Sequence, residues 1–354
     1  MRKYFKQLII GFLLAAVLCM TAMYIIDPYQ YFRQSTLYSP LFLIPQERNI
    51  NPGLVKNFDY DSLIISNSTS ENFTNKYLRN ELKWNPLKIC MSGSSSYEYS
   101  LIYDILKREN KDVKNIITTF DLFAYEKGAT EAAKETPLYL YNDKKLDDIR
   151  YLLNLNILFN GLENIYDYNY RFKDERFKNR DYAYFTGDLY EFSKNVVVQN
   201  ELENLKSDTL DPLNNPKENT IDMDYINKVM DNFNNHLLKY INENPNTKFY
   251  IVFPPYSILY FKDLQYKGNF ENFIYIKNRV SEELLNHKNV SILDFQTDEG
   301  IVKNLDNYKD IVHYTYTVNN YMEKNINNSD YILTPTNYNE KISHLKNMVE
   351  KYKL

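Results

Sequence analysis

The stretch Asp61-Ser62-Leu63-Ile64-Ile65-Ser66-Asn67-Ser68-Thr69-Ser70-Glu71-Asn72-Phe73 decides how this chain is read. An acidic residue leads into a short apolar run, which predicts a buried strand over 63–66. The run stops at five small polar residues, and Glu71, Asn72 and Phe73 then look like the start of a helix. Two readings fit such a junction. Ser, Thr and Asn are the preferred helix caps. A strand-to-helix turn can equally present a serine hydroxyl as nucleophile, with helix N–H groups aimed at developing negative charge.

Further strands and helices alternate outward from this point. Residues 87–91 predict a second strand, ended by Ser92-Gly93-Ser94-Ser95-Ser96, and 97–109 carry apolar residues at helical spacing. A β-branched third strand is expected over 113–120, closed by Asp121. Residues 248–253 predict a strand stopped by Pro254-Pro255, followed by a helix over 273–285 and a strand over 290–295. A last helix is expected to begin near Asp310 or His313 and run through Tyr321. Strands separated by helices imply a three-layer α/β/α sandwich around a mostly parallel five-stranded sheet, with helices on both faces. Ligands in such sheets bind beyond the carboxyl ends of the strands. The two serine-rich turns, Asp121 and the Pro-Pro turn all fall at such ends.

The remaining segments divide the chain. Arg2, Lys3 and Lys6 precede a run of 19 uncharged residues over 8–26. As a helix that run spans the hydrocarbon core of a bilayer. No good small-x-small cleavage site follows, so an uncleaved transmembrane anchor is expected over 1–26. Its basic flank would be cytoplasmic and the rest of the chain extracytoplasmic. Asp27-Pro28-Tyr29 breaks that helix, and 27–57 read as an irregular neck. The sheet domain is expected over 58–330. Within it, 125–245 form a largely helical insertion, with helices over 139–161 and 223–242 and surface excursions over 173–181 and 200–218. A helical tail follows over 331–354.

Composition excludes some partners. The net charge of −4 gives no electrostatic case for nucleic acid. The chain has two cysteines, Cys19 in the apolar run and Cys90 far from it. No Cys/His spacing suggests zinc, so neither metal nor cofactor is expected.

Chemistry centres on few residues. Ser68 needs an adjacent base to become a nucleophile. The chain holds four histidines. His313, in Asp310-Ile311-Val312-His313, follows the last predicted strand and so reaches the same rim as Ser68. Asp310, three residues earlier, could fix the tautomer of its ring and stabilise its cation, or the two could be a plain surface pair. His236 and His344 sit on charged amphipathic helices, and His287 on a polar connection. Gly93 would let backbone donors approach an oxyanion, or would serve only the turn. Ser94, Ser95 and Ser96 are rival nucleophiles or a helix cap. Asp121 could orient a donor or cap the next segment. Pro255 and Tyr256 could wall a pocket or form a rigid turn.

Taken together these residues resemble the SGNH (GDSL-like) hydrolase superfamily, whose nucleophile comes early and whose Asp-x-x-His comes late. Residues 64–73 look like the I-I-G-[ST]-S-x-[ST]-E-N-F block of membrane-anchored relatives that acylate cell-envelope polymers. Alginate and peptidoglycan O-acetyltransferases and the teichoic-acid D-alanylation protein are more distant kin. The similarity covers roughly 60–125 and 245–325, together with the anchor.

The resemblance implies a flavodoxin-like sandwich in which Ser68 is the nucleophile, His313 and Asp310 complete a triad, and Ser68 and Gly93 hold the oxyanion. Asn67, Asp121, Pro255 and Tyr256 would lie at the substrate. It further implies a cell-envelope glycan or teichoic-acid-like polymer as acceptor, with a polytopic membrane-bound O-acyltransferase as partner. Two departures stand out: Ser66 replaces the glycine usual two residues before the nucleophile, and Asp121 stands where an asparagine oxyanion donor is usual. The alternative that they favour is a non-catalytic envelope assembly or glycan-binding protein.

Overall fold

The computed structural model describes residues 2–42, 46–128, 134, 136–173, 181, 183, 190–218 and 220–353. Five strands form one parallel sheet: β1 (Ser62–Ser66), β2 (Pro86–Cys90), β3 (Asn115–Thr119), β4 (Lys248–Phe253) and β5 (Val290–Asp294). Their order is β2-β1-β3-β4-β5. Every position of β1 is buried, and so are all but the first positions of β3 and β4. Strands covered on both faces need unbroken apolar runs, and this is why Leu63-Ile64-Ile65 and Phe249-Tyr250-Ile251-Val252-Phe253 lack alternation. The fold is an α/β sandwich. After β1 the chain steps outward to β2 and then returns across β1 to β3, so the order reverses between β1 and β3, the switch point of this topology.

Register aligns the rim. Ser66 pairs with Cys90, Thr119 with Val252, and Phe253 with Asp294. The turns after the strands therefore leave the sheet on one side. The far edge is pinned from inside. Lys277, on the helix Phe270–Leu284, donates to Asp294 Oδ2 at 2.8 Å and to Gln296 Oε1 at 2.7 Å. Residues 331–333 cover the exposed side of β5: Asp294 N–H donates to Tyr331 O and Leu333 N–H to Ile292 O. An edge strand so covered offers no template for another chain.

Several sequence expectations are corrected. The tail is helical over Tyr338–Lys351 only, because 331–337 cover that edge. The helix predicted over 139–161 is a 3₁₀ turn, Leu138–Leu140, and two helices, Asp148–Leu152 and Leu155–Tyr166. Asn142 and Asn154 interrupt it by taking the N–H groups of Lys144 and Ile157. The helix expected over 223–242 continues through a π turn at Asn234–Leu238. A helix at Ile258–Lys267 escaped notice because it is buried almost all round and so lacks an amphipathic period. The neck is not wholly irregular: Glu47–Asn57 is helical despite Asn51-Pro52-Gly53, which reads as a turn. The last helix of the sheet domain starts only at Tyr316, leaving Asp310 and His313 in a loop. Most of the excursion at 173–181 lies outside the described residues.

By internal contacts the chain forms two compact units. One comprises Tyr60–Ser100, Asp112–Ala129 and Asp181–Leu354 and contains the whole sheet. The other comprises Met1–Asp59, Leu101–Lys111 and Thr130–Arg180, so the first part of the expected insertion packs with the neck. In it the helix Arg2–Ile26 is long and apolar enough to cross a membrane, with a mean hydropathy of 2.5 over its best window. Asp27 closes that helix. Its carboxylate accepts from Tyr31 N–H and Phe32 N–H at 2.9 Å and from Tyr151 Oη at 2.9 Å.

Lys277 and Asp294 are both almost fully buried. Burial lowers the affinity of Lys277 for its proton, and Asp294 opposes that shift. Removing one partner of such a pair costs about 3–5 kcal/mol. Asp294→Ala is therefore expected to lower the unfolding midpoint sharply, and Asp294→Asn to lower it less, both measured by denaturant unfolding.

Candidate active site

The question posed by the turn after β1 has a direct structural answer. Asn67, not Ser68, is the cap. Its Oδ1 accepts from Thr69 N–H at 3.0 Å and from Thr69 Oγ1 at 2.8 Å, which starts the 3₁₀ turn Ser68–Ser70. From 62 to 75 every residue is buried except Ser68. The Ser68 hydroxyl is thus left out of the turn's own bonding and presented at the rim.

That hydroxyl meets His313. Ser68 Oγ lies 2.8 Å from His313 Nε2, and His313 Nδ1 lies 2.7 Å from Asp310 Oδ2. The other carboxylate oxygen, Oδ1, accepts from Val312 N–H at 2.8 Å and from His313 N–H at 2.7 Å. Such local bonding competes with helix and explains why 310–313 form a loop. Burial pushes the Asp310 carboxyl up, but the His313 ring and these two N–H groups outweigh it and hold the group at about 2.

Further contacts fix the loop. Tyr308 and Tyr314 bridge its base. Ser257 donates its N–H and its hydroxyl to Ile311 O, at 3.1 and 2.9 Å. Asn319 donates to Thr69 O at 3.0 Å and Asn72 to Tyr314 O at 3.3 Å, tying the serine turn to the histidine segment. Sequence reading missed Ser257 and Asn319 in this role. Ser257 had a signal: it caps the helix Ile258–Lys267, as a serine before an apolar run should.

The two departures from the resembled pattern have local accounts. Ser66 has no positive φ, so its side chain strains nothing, and its hydroxyl pairs with that of Thr119 on β3. Asp121 is not an asparagine-like donor. Its Oδ1 caps Phe123 N–H at 3.0 Å, and its Oδ2 accepts from Asn67 Nδ2. Burial raises its carboxyl, opposed by the Asn67 amide and the Tyr256 phenol. Asp121 thus holds Asn67 across the β1/β3 switch point.

The other candidates separate. Gly93 is exposed at φ +61°, a conformation that favours glycine, in the turn after β2, and its carbonyl accepts from Lys127 Nζ. Among the described residues, neither the Ser68 nor the Gly93 N–H is engaged in a hydrogen bond. Ser94, Ser95 and Ser96 are buried and so do not rival Ser68. Ser95 instead forms a cap with Glu98, and Ser96 Oγ lies 2.9 Å from His236 Nδ1. His236 therefore sits half-buried in a π turn, not on a free helix face. Pro255 and Tyr256 are buried, and Tyr308 Oη donates to Pro255 O at 2.7 Å.

No family profile and no curated protein matches the chain. A solved structure described as "The structure of a putative platelet activating factor from Streptococcus pneumonia" is similar to it over 80% of this chain and 92% of its own. The identity is 9% and the TM-score 0.41.

Asp310 links the site to acid stability. Its folded pKa lies below the ordinary value of 3.8, so its contribution is present above that pH and is lost as pH falls towards 2. The melting difference between the native chain and Asp310→Asn should therefore be fully developed at about pH 5 and shrink progressively as the pH falls towards about 1. A difference unchanged at the acid end would mean that the carboxylate is not held this way.

Proposed function

We propose that this protein is a membrane-anchored serine esterase or O-acyltransferase that acts on a cell-envelope polysaccharide through an acyl-enzyme on Ser68. One observation carries the reading: hydroxyl, imidazole and carboxylate stand in hydrogen-bonding sequence at 2.8 and 2.7 Å, on the strand-end rim of an α/β sheet. A serine so placed can lose its proton to His313 Nε2 as its oxygen attacks an acyl carbonyl. Asp310 keeps the ring in the tautomer that accepts at Nε2 and stabilises the imidazolium formed. The Ser68 and Gly93 N–H groups are the candidate donors for the tetrahedral oxyanion. Collapse of the intermediate releases the alcohol, protonated by His313, and leaves the acyl group on Ser68. Water or a glycan hydroxyl, deprotonated by the same imidazole, then takes the acyl group and restores the serine.

The spanning helix favours transfer within the envelope, because a tethered enzyme stays near nascent polymer. A polytopic membrane O-acyltransferase is the proposed source of acyl groups, and a glycan or teichoic-acid-like polymer the acceptor. A second reading, a non-catalytic envelope assembly or glycan-binding protein, draws on Asp121, an acceptor where a donor is usual. Losing one oxyanion donor costs about 10²–10³ in turnover.

A fluorophosphonate probe separates the two. The catalytic reading expects an adduct on Ser68, absent in Ser68→Ala and slowed about 10²–10⁴-fold in His313→Ala. No adduct on folded protein would favour the binding role. For the transferase, p-nitrophenyl acetate is the donor and added envelope glycan the acceptor. Acetylated glycan should appear at the expense of free acetate, and a glycan that never becomes acylated leaves only the esterase.

A further inference from the structure

The unit that carries the apolar N-terminal helix has a second apolar surface. The helix Leu155–Tyr166 buries Ile157, Leu158, Gly161 and Ile165 on one side. On another it exposes Leu155, Phe159, Leu162 and Tyr166, at 52%, 63%, 40% and 60% of their surfaces. At about 100° per residue these four fall within roughly 60° of one another. Asn156, Asn160 and Glu163, also exposed, occupy the sector beside them. The exposed side chains therefore form a continuous stripe, with its own polar border, and such a surface marks an interaction site.

The stripe sits where the N-terminal helix ends. A Cβ on Gly161 would lie 2.3 Å from Pro28 Cβ and 2.6 Å from Pro28 Cγ, so this helix backs directly on the residue that breaks the first one. Tyr151 donates to Asp27, and Cys19 Sγ lies 3.7 Å from Leu152 O, so the preceding short helix, Asp148–Leu152, packs on the last part of the N-terminal helix. Leu18, Tyr24 and Ile25 of that helix are themselves more than half exposed. Beyond the stripe, Tyr170 and Phe172 are exposed beside the exposed cations Arg171 and Lys173. Aromatic rings with neighbouring basic side chains suit the headgroup boundary, where rings sit at the interface and cations reach the lipid phosphates.

The geometry points to a second membrane contact: the Leu155–Phe159–Leu162–Tyr166 stripe lies against the lipid at the boundary of headgroups and acyl chains, beside the end of the spanning helix. This inference rests on the reading of Arg2–Ile26 as a membrane anchor. The occupant is lipid, because the stripe lies on the helix that backs on the end of the anchor, where the anchor's own exposed side chains are apolar, and because its polar border is what an interfacial helix carries.

The chain has a single tryptophan, Trp84, which allows a clean test. In full-length Trp84→Phe protein, a tryptophan is placed at Phe159, at Leu162 or, within the anchor, at Leu14. Each variant is reconstituted in phosphatidylcholine vesicles with or without bromine on the acyl chains. Emission from positions 159 and 162 should fall about twofold or more in brominated vesicles, as should that from position 14. Quenching at 14 with full emission at 159 and 162 would overturn the second contact, leave the anchor standing and free the stripe for a protein partner. No quenching at 14 would remove the anchor, and the second contact with it.

Discussion

The amide of Asn67 is the pivot of the sheet unit. One end of it closes the turn after β1 by accepting from Thr69, and the other donates to the buried carboxylate of Asp121 after β3. A parallel sheet whose order reverses between β1 and β3 leaves a crevice at that point, and backbone groups there have lost their ladder partners. Asn67 spans that point, taking the Thr69 N–H at one end and donating to the Asp121 carboxylate at the other. Because that residue takes over the capping, Ser68 is relieved of it. A serine that caps its own helix has its oxygen engaged with backbone N–H groups, whereas this one faces an imidazole.

The histidine is held with similar economy. Both oxygens of Asp310 are engaged, one by the ring and one by the backbone of the loop that carries the ring. The carboxylate therefore shapes the loop and orients the imidazole through one rigid group. Ser257 and Asn319 then join that loop to β4's exit and to the serine turn. An imidazole so constrained keeps little conformational freedom.

Much of this was legible in the sequence. The strands declared themselves because fully covered parallel strands are unbroken apolar runs, and Ser68 and Asp-x-x-His stood out because the chain has so few histidines. Less legible were elements whose signal is weak for a physical reason. The helix Ile258–Lys267 is buried nearly all round, and Glu47–Asn57 contains a Pro-Gly pair that normally marks a turn. Asn67 had the right residue type for a cap. That it, and not Ser68, does the capping depends on Asp121, 54 residues away in sequence. Spacing alone carries no information about such a contact. The exposed stripe on Leu155–Tyr166 was hidden because it adjoins the buried side of the helix in one broad apolar arc, and the sequence does not say which part of that arc is covered.

The loop bearing His313 is gripped almost entirely by its main chain. Ser257 holds the carbonyl of Ile311, and Asp310 the amides of Val312 and His313. None of these contacts reads the side chains of Ile311 or Val312, which are only half-buried. Those two positions can drift in identity without re-aiming the ring, so the outer surface of the loop and the placement of its imidazole are set by separate parts of the same segment.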